Sequence, residues 1–498
     1  MNVQEAVEKL NELELQEFAY GHAMGILSYD DETVAPRGSV IPRGKTMGVL
    51  SELSYKLSTG DGAREILDAL KEHYDELSPE DKRRADIREK NMRELRAIPM
   101  EEYVAYSQLL NDASNVWREA KNKSDYKLFE PYLGRIIETQ KRFAGLVRPD
   151  MDPYDYCLDR YEEGLTREKC EAFFKTLRDH IVPLIEKVKA ARPIDDAFVR
   201  ERFPLADQRE LSGKLMEILG LPKDNCILGE VEHPFTTGFS KHDVRITTHY
   251  YEDNFLSSMY SVIHEGGHAL YDLHSDDKFC FTCLEGGVSM GVHESQSRFY
   301  ENIIGRSREF VGLVYPELIR LRPKLAAHSA EELWRAANVA LPSLIRTEAD
   351  ELTYPLHIMV RYEMEKAMIG GDVKTSELPG MWNALYKEYL GIDVPDDRSG
   401  ILQDSHWSGG GIGYFPSYAL GSAYGAQLLH KMRESFDVAG AVKAGDLAKV
   451  NGWLEDRIWK YGCLYKPGEL MERAFGGPFD PTYYTDYLER KFTEVYGL

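Results

Sequence analysis

With 498 residues, 43 % of them hydrophobic, the chain can bury a large core, and it is strongly acidic: 61 Lys and Arg against 83 Asp and Glu give a formal net charge of −22. This charge repels nucleic acid and anionic membrane surfaces, and no run of about 18 apolar residues predicts a membrane span, so neither kind of partner is expected. The composition is typical of a soluble enzyme.

The N-terminus shows no pattern of a targeting signal. The sequence MNVQEA at 1–6 has neither a basic start nor an apolar stretch, which argues against secretion and predicts a cytoplasmic protein. Six cysteines in a chain this long do not indicate a disulfide scaffold. Four isolated ones are predicted to be small buried side chains: Cys157, Cys170, Cys226 and Cys463. Cys280 and Cys283 form a single C-x-x-C pair, which does not by itself establish a redox or metal role.

Helices dominate the predicted secondary structure. Residues 79–96 are dense in alternating charges, as on a solvated helix face. Apolar residues repeat every three to four positions over 106–120 and over 447–458, which predicts two core-facing helices. Because no repeat or long linker marks a boundary, we expect a single, mainly α domain over 1–498, with the helices of about the first 200 residues forming one wall of a cleft.

A short β signal precedes the most informative part of the chain. Val244, Ile246 and Thr248 alternate with Arg245 and Thr247, which predicts an exposed or half-buried strand. At the edge of a small antiparallel sheet, such a strand can pair with an extended peptide substrate. A strand that only braces the following helix fits the pattern equally well.

A buried helix of about five turns is predicted after this strand. Apolar residues recur at spacings near three and four over 255–273, and Asp253 is a suitable N-cap. Gly266 and Gly267 each cost about 1 kcal/mol against Ala inside a helix. We therefore expect another group to pack tightly against the helix at these two glycines, or to approach its backbone there.

This helix contains the sequence HEGGH at 264–268. His264 and His268 lie one turn apart, so both can reach a single tetrahedral Zn²⁺. Glu265, between them, is placed to accept a proton from the attacking water and to deliver it to the leaving amine of a cleaved peptide. The pattern predicts a metallopeptidase centre that still needs a third ligand. Two incidental histidines in a buried helix are the alternative.

His293 and Glu294 are the candidates for the third ligand. Apolar residues after them recur at helical spacing, so Glu294 is expected near the start of a second helix that packs against the first. Two His and one Glu leave one position open, as in thermolysin-type hydrolases. We favour Glu294 because a third imidazole would make the site resemble carbonic anhydrase, which requires no glutamate of a His-Glu-x-x-His helix. A first-turn carboxylate that only complements the helix dipole is the alternative.

A glycine-rich loop follows at 409–413. It lacks the preceding strand and the spacing of a nucleotide-binding fingerprint. Glycines let backbone amides approach a ligand and let a loop move, so we expect a flexible strap over the substrate.

Five sequence blocks, taken in order, resemble those of the carboxypeptidase Taq family of metallocarboxypeptidases. They are HPF at 233–235, DVRIT at 243–247, HESQ at 293–296, IRTEAD at 345–350 and GILQDSHW at 400–407. A weaker match covers Asp30–Thr33 and Pro36. The chain departs from the family pattern at Tyr29, where Trp is usual, and at Glu163, where Pro is usual.

The resemblance implies a neurolysin-like fold with a deep substrate cleft, a small sheet beside the metal site, and the metal and catalytic motifs at 233–418. It also implies two donors for the oxyanion of peptide hydrolysis. His406 and Tyr418 match these donors, and Tyr414 is a second candidate. His233 is a candidate substrate contact. The resemblance further implies a homodimer.

A carboxypeptidase needs a cation for the free α-carboxylate of its substrate, and the planar fork of arginine suits this role. The resemblance points to Arg346 and, less directly, to Arg245. Either can instead be a structural partner of an acid such as Asp350 or Asp243.

The sequence thus predicts a zinc- or cobalt-dependent carboxypeptidase that removes single C-terminal residues, with broad specificity, from short or unfolded peptides. An oligopeptidase that cuts internally or releases dipeptides is one alternative, since the same kind of cleft hosts both. A metal-stabilised scaffold that binds peptides without cleaving them is another. Glu265 argues against the scaffold, because a protein that only binds needs no base beside the metal.

Overall fold

The computed structural model describes residues 1–371 and 373–498 and is built mainly of helices. The first 190 residues contain α1 (Val3–Thr33), α2 (Val40–Thr59), α3 (Asp61–Glu72), α4 (Pro79–Ala97), α5 (Met100–Lys123), α6 (Tyr126–Val147), α7 (Pro153–Asp159) and α8 (Arg167–Ala190). The charged helix predicted over 79–96 is α4, which Ser78 caps and which has Pro79 in its first turn.

The rest of the chain forms three strands and a second set of helices. One helix of this set precedes the strands, and the other helices follow them. The elements are α9 (Leu205–Leu219), β1 (Cys226–Glu230), β2 (Thr236–Ser240), β3 (Asp243–Thr248), α10 (Phe255–Leu273), α11 (Met290–Arg298), α12 (Arg308–Leu321), α13 (Ala330–Ala336), α14 (Tyr354–Gly370), α15 (Leu378–Leu390), α16 (Pro416–Arg433), α17 (Val438–Lys443), α18 (Leu447–Arg457), α19 (Pro467–Phe475) and α20 (Thr482–Tyr496). The mainly α fold class is confirmed. Across the described residues, none of these helices combines the length and apolar character that a bilayer crossing requires.

The sheet corrects two expectations. Its strand order is β1-β3-β2, with β1 parallel and β2 antiparallel to β3, so the sheet is mixed rather than antiparallel. The strand predicted from alternation, β3, is central and not an edge strand. Val244 and Ile246 are fully buried, in a strand that has neighbours on both sides. An alternating pattern identifies the two faces of a strand but does not identify its neighbours.

Two groups of buried apolar side chains hold the molecule together. The larger extends from α5 to α20, and the two predicted core-facing stripes contribute to it through Leu109, Ala113, Val450 and Leu454. The smaller is formed mainly by residues of α1, α3 and α4. The N-terminal helices therefore pack partly around a core of their own, and the single-domain organisation stays a prediction.

The cysteines are free thiols in the described structure. Cys157, Cys170 and Cys226 are buried, as predicted, while Cys463 is half-buried. The C-x-x-C pair at 280–283 is also half-buried and is not joined by a disulfide. The pair therefore does not stabilise this fold covalently.

Candidate active site

Helices α10 and α11 bring three side chains with metal-ligating groups together. His264 Nε2 lies 3.8 Å and His268 Nε2 lies 3.5 Å from Oε2 of Glu294. One ligand atom from each residue lies within 4.8 Å of the other two. The N-cap of α10 is Asn254 rather than the predicted Asp253. This one-residue difference does not change the spacing that puts both imidazoles on one face.

Glycines allow the backbones around these ligands to approach closely. A Cβ on Gly267 would lie 2.7 Å from backbone atoms of α11, and one on Gly266 would lie 2.6 Å from the side chain of Leu219. On α16, a Cβ at Gly421 would lie 2.7 Å from Cβ of Glu294. The tight packing expected at the two glycines of α10 is confirmed.

An acidic side chain orients His264. A π-helical segment, Phe299–Gly305, continues α11, and Oε2 of its Glu301 lies 2.9 Å from His264 Nδ1. Burial opposes ionisation of Glu301, but Arg298 and His264 outweigh it and lower its pKa to about 2. The Glu301 carboxylate can therefore accept a hydrogen bond from Nδ1–H of His264, which leaves the Nε2 lone pair facing Glu294.

A second imidazole orients His268. Its Nδ1 lies 2.7 Å from Nδ1 of His293, whose Nε2 lies 3.0 Å from Oδ1 of Asp272. When His268 presents its Nε2 lone pair to a metal, its Nδ1–H donates to His293, which in turn donates to Asp272. His293 is thus engaged by His268 and Asp272, and this arrangement supports Glu294 as the third ligand.

The charge of Glu294 is stabilised from its own helix. Arg298 Nε donates to Oε1 at 2.7 Å, and Ser297 Oγ donates to Oε2 at 3.1 Å. Burial alone would raise the pKa of Glu294, but Arg298 and the two imidazoles hold it well below its usual range. Two imidazole nitrogens and an ionised carboxylate form a donor set that suits a divalent metal ion.

Glu265 lies beside this group and is held by a residue that the sequence did not reveal. Thr236 Oγ1, on β2, lies 2.6 Å from Oε2 of Glu265 and 3.0 Å from its carbonyl oxygen. Glu265 itself is buried. Thr236 directly follows the HPF block, but no spacing in the sequence indicates that β2 passes alongside α10.

A second cluster contains the predicted Arg346. Its Nε and Nη2 donate to Oδ1 of Asp404 at 3.0 and 2.8 Å, and its Nη1 donates to the hydroxyl of Tyr354 at 2.9 Å. Arg361 donates to the other oxygen of Asp404 at 2.9 and 2.7 Å. The acidic partner of Arg346 is therefore Asp404, whereas Asp350 accepts backbone hydrogen bonds at the start of α14.

The predicted oxyanion donors lie beside Arg346. His406 Nε2 is 3.3 Å from the hydroxyl of Tyr418, the Arg346 guanidinium lies 5.1 Å from the centre of the Tyr418 ring, and the Tyr414 ring lies 5.3 Å from that of His406. Burial and the neighbouring arginines outweigh Asp404 and lower the pKa of His406 to about 4. Burial raises the pKa of Tyr414 to about 12 and that of Tyr418 well above its usual range. At neutral pH, His406 is uncharged and both hydroxyls keep their protons.

Arg245 and His233 lie outside these clusters. Arg245 makes a two-pronged pair with Asp243 at 2.9 and 2.8 Å, and its guanidinium stacks over the rings of Tyr29 and Phe239 at 5.0 and 4.8 Å. Asp243 is thus the structural partner that the sequence allowed as the alternative. His233 is exposed and makes no side-chain hydrogen bond to any described residue.

The glycine loop at 409–413 differs from the expected flexible strap. Gly410, Ile412 and Gly413 are buried, and the Gly413 N–H donates to Glu365 at 2.9 Å. Gly413 has a φ of 92°, and a Cβ there would overlap a backbone carbonyl of α7. The glycines permit close packing and a left-handed backbone, so the loop is anchored and does not form a loose cover.

Sequence reasoning also missed Arg298, Tyr354 and Asp272. Arg298 follows Glu294 by four residues, so helical spacing alone would have paired them on one face. Tyr354 and Asp272 carry no comparable signal, because the side chains that they contact are not their helical neighbours.

The mainly α fold and the His-His-Glu cluster beside a buried glutamate define a helical metallopeptidase. Comparison with known proteins agrees with this class. The family described as carboxypeptidase Taq (M32) metallopeptidase matches residues 9–492, so the chain belongs to this family.

Similar proteins cover nearly the whole chain. Carboxypeptidase 1 of Bacillus subtilis is 40 % identical over 483 residues, which is 96 % of this chain and 96 % of that protein. Thermostable carboxypeptidase 1 of Pyrococcus furiosus is 36 % identical, over 95 % of this chain and 96 % of that protein. The crystal structure of the M32 carboxypeptidase from Deinococcus radiodurans superposes with a TM-score of 0.97 at 34 % identity, over 99 % of this chain and 100 % of that one. The protein is a metallocarboxypeptidase and therefore a hydrolase.

Proposed function

We propose that the enzyme removes single C-terminal residues, with broad specificity, from short or unfolded peptides, and that Arg346 binds the free α-carboxylate. The observation that carries this proposal is the excess positive charge of the Arg346 cluster near the candidate metal ligands. Tyr354 connects the two groups, since it contacts Arg346 as well as Arg298, the partner of Glu294.

The charge balance of this cluster favours an anionic ligand. Arg346 and Arg361 share the single carboxylate of Asp404, and His406 is neutral above about pH 4, so one positive charge has no paired carboxylate among the described residues. Arginine has five N–H groups, and hydrogen bonds to described residues engage Nε, Nη1 and Nη2 of Arg346 once each. One N–H therefore remains on each of Nη1 and Nη2, and these two can bind a carboxylate together.

The cleavage chemistry assigns a role to each residue around the ligands. His264, His268 and Glu294 would hold a divalent metal, which would supply a Lewis acid for the scissile carbonyl and for water. Glu265 accepts the proton of the attacking water and transfers it to the leaving amine. Thr236 restrains the Glu265 carboxylate through Oε2, so that the carboxylate keeps one orientation during both transfers.

His406 and Tyr418 supply donors for the oxyanion. Both are uncharged donors at neutral pH, since burial lowers the pKa of His406 and raises that of Tyr418. Nδ1 of His406 is buried and has no hydrogen-bond partner among the described residues. Removing one preorganised donor of this kind typically costs about 2.7–4 kcal/mol of transition-state stabilisation.

The metal, the assembly and the location belong to the same proposal. We favour zinc, with cobalt as a substitute or the preferred ion, because imidazole and carboxylate ligands suit zinc and its first-row neighbours. The homodimer rests on the family resemblance, and light scattering of the purified protein tests it. A cytoplasmic location rests on the N-terminal sequence, and cell fractionation tests it.

An extended substrate is expected to pair with β2, the edge strand that carries Thr236.

Mass spectrometry of one unstructured peptide, as free acid and as C-terminal amide, tests the proposal. The protein is used untreated, after chelation, and after resupply of Zn²⁺ or Co²⁺. We expect a ladder of single-residue losses from the free acid only, abolished by chelation and restored by the metal. Internal cuts in both peptides would favour an oligopeptidase. A lack of cleavage under every condition would favour the peptide-binding scaffold.

Arg346→Ala isolates the role of the guanidinium. We expect kcat/KM for free-acid peptides to fall by about 100-fold, since hydrogen bonds between charged groups are the strong ones, while binding of the amidated peptide stays unchanged. Arg245→Ala is the matched control, because Arg245 also pairs with an aspartate and stacks on aromatic rings but lies elsewhere. Equal losses of binding affinity for the free-acid and the amidated peptide would contradict carboxylate binding by Arg346.

A further inference from the structure

Tyr354 contacts both halves of the site and has no assigned role. It is the first residue of α14 and is buried, with 5 % of its surface exposed. Asp350 holds the start of this helix, because it accepts hydrogen bonds from Thr353 N at 3.0 Å and from Thr353 Oγ1 at 2.7 Å. The position of Tyr354 is therefore set by the fold and not by the substrate.

The ring of Tyr354 supports the metal-ligand side. The Arg298 guanidinium lies 4.2 Å from the ring centre, in a cation–π contact. The same guanidinium donates to Oε1 of Glu294 at 2.7 Å and to Oε2 of Glu301 at 3.4 Å. The aromatic face thus limits where Arg298 can sit, and Arg298 in turn restrains two carboxylates of the candidate metal centre.

The hydroxyl of Tyr354 supports the carboxylate-binding side. It accepts the hydrogen bond from Nη1 of Arg346 at 2.9 Å, while Asp404 holds the other edge of the guanidinium through Nε and Nη2. Without the hydroxyl, Arg346 would lose the hydrogen bond at one edge and keep Asp404 at the other edge, with the rings of Tyr418 and Phe415 at 5.1 and 5.6 Å from the guanidinium. With the hydroxyl, both edges of the fork are held.

We propose that Tyr354 is a positioning residue that sets the distance between Arg346 and the metal-binding carboxylate, and so limits cleavage to one residue from the C-terminus. The side chain of Tyr354 lies between two guanidinium groups, with Arg298 over its ring and Arg346 at its hydroxyl. This inference rests on the proposed function, because it needs Arg346 to bind the substrate carboxylate. A shift in the position of Arg346 would place the wrong peptide bond beside Glu265.

Tyr354→Phe tests the hydroxyl with the ring kept. In a Glu265→Gln background, which is intended to bind peptides without turnover, we expect the free-acid peptide to bind about tenfold more weakly and the amide to bind as before. In the otherwise native enzyme we expect dipeptide release to appear beside single-residue loss in the mass spectrum. The dissociation constant of the metal, measured by chelator competition, should change less than about twofold, since the ring still supports Arg298.

Tyr354→Leu tests the ring, and Tyr362→Phe is the matched control for Tyr354→Phe. Loss of the aromatic face should weaken metal binding at least about fivefold in the same chelator competition, a readout that does not depend on turnover. Tyr362 lies on the same helix, is buried, and makes one hydroxyl hydrogen bond at 3.2 Å, to a backbone carbonyl. Tyr362→Phe should change the thermal midpoint slightly but neither product size nor metal affinity.

Two results would overturn the inference while leaving the proposed function intact. One is a Tyr354→Phe enzyme that binds free-acid peptides normally and releases only single residues while Arg346→Ala has lost carboxylate binding. The other is Tyr354→Leu with native metal affinity. If Arg346→Ala itself treats free-acid and amidated peptides alike, the proposed function has failed, and the inference fails with it.

Discussion

Individual side chains in this site are kept in one charge state and one orientation by identifiable neighbours. Arg298 keeps Glu294 ionised against the effect of burial, and Thr236 restrains the carboxylate of Glu265. His406, in contrast, is kept neutral by burial next to two arginines. Substitutions at Glu265 and Thr236 therefore test two of these restraints separately.

Replacing Glu265 by Gln tests the proposed role of this residue as the general base. The amide keeps the shape and can still meet Thr236, but it cannot accept a proton, so we expect kcat to fall by at least about 10³-fold. Metal content, measured by atomic spectrometry, should stay at the native level because Glu265 is not among the three candidate ligands. Near-native turnover would remove Glu265 from the mechanism.

Replacing Thr236 by Val tests how far orientation of the base matters. The substitution keeps the branched shape and removes the hydroxyl that lies 2.6 Å from Glu265 Oε2. We expect kcat to fall about tenfold with little change in KM, as for loss of one hydrogen bond to a charged group. Thr236→Ser keeps the hydroxyl and serves as the control. If both variants lose the same activity, packing of β2 and not the hydrogen bond is responsible.

Among the secondary-structure elements, α10, α11 and α16 owe the geometry of the candidate metal centre to close approach at glycines. Gly267 meets the backbone of α11, and Gly421 meets Glu294 itself. A backbone contact cannot rotate away as a side chain can. The positions of the three candidate ligands therefore depend on Gly267 and Gly421, which have no metal-ligating side chain.

Gly267→Ala should displace α11 and weaken metal binding. The added Cβ would lie 2.7 Å from backbone atoms of α11, so we expect at least about a tenfold loss of metal affinity and a lower thermal midpoint. Gly213→Ala on α9 is the control, since nothing lies within 4 Å of its Cβ position and alanine favours a helix by about 1 kcal/mol. Unchanged metal affinity in Gly267→Ala would mean that the helices adjust independently.

The N-terminus of α11 is anchored by a buried carboxyl group with unusual titration. Glu162 is 3 % exposed and accepts a hydrogen bond from Gly291 N at 3.1 Å. Burial outweighs this and other hydrogen bonds and raises the pKa of Glu162 to about 7. Between the ordinary carboxyl pKa and about pH 7, the folded protein holds a proton that the unfolded chain releases, so stability falls as the pH rises through this window.

Glu162→Gln should remove this dependence. One pKa unit corresponds to about 1.4 kcal/mol, so native protein should lose up to about 3 kcal/mol relative to the variant between about pH 4 and pH 8. The pKa of Glu163 is lowered, because Lys466 and other cations outweigh the effect of burial. Native protein should therefore gain stability relative to Glu163→Gln as the pH rises, the opposite of the trend for Glu162→Gln. Thermal midpoints at several pH values measure both. If the thermal midpoints of native protein and Glu162→Gln differ by the same amount at every pH, Glu162 does not titrate in this range.

The molecule as a whole carries a net charge of −22, while the cluster around Arg346 is positive. Cationic peptides should therefore be attracted from a distance, and acidic peptides repelled, although both end in the same carboxylate. We expect kcat/KM for a basic peptide to fall, and that for an acidic peptide to rise, when ionic strength increases from about 10 to 150 mM, since the screening length shortens from about 30 to 8 Å. A neutral peptide with the same C-terminal residue is the control. Parallel responses of the basic and acidic peptides would show that the net charge does not steer binding.

Much of this enzyme could be predicted from local patterns in the chain. Helical spacing placed His264 and His268 on one face and predicted a second helix with Glu294, because period and sequence distance within one helix determine which side chains are neighbours. The same patterns predicted the mainly α fold and the close packing at the glycines of α10. Family resemblance pointed to Arg346, which the structure brings beside the predicted oxyanion donors, but also to Arg245, which it places elsewhere.

Only the tertiary structure decided which elements face each other. The alternating pattern identified β3 as a strand but could not show that it is the central strand of the sheet. The glycines at 409–413 likewise gave no sign of the hydrogen bond from Gly413 to Glu365 that holds this loop. Thr236 contacts Glu265, and Tyr354 and Asp404 contact Arg346. These contacts join segments that are remote in sequence, so they depend on how helices and strands pack in space. The sequence by itself thus determined the candidate metal ligands and the candidate base, because these lie within two helices, whereas packing between elements determined their orientation and the distance to Arg346.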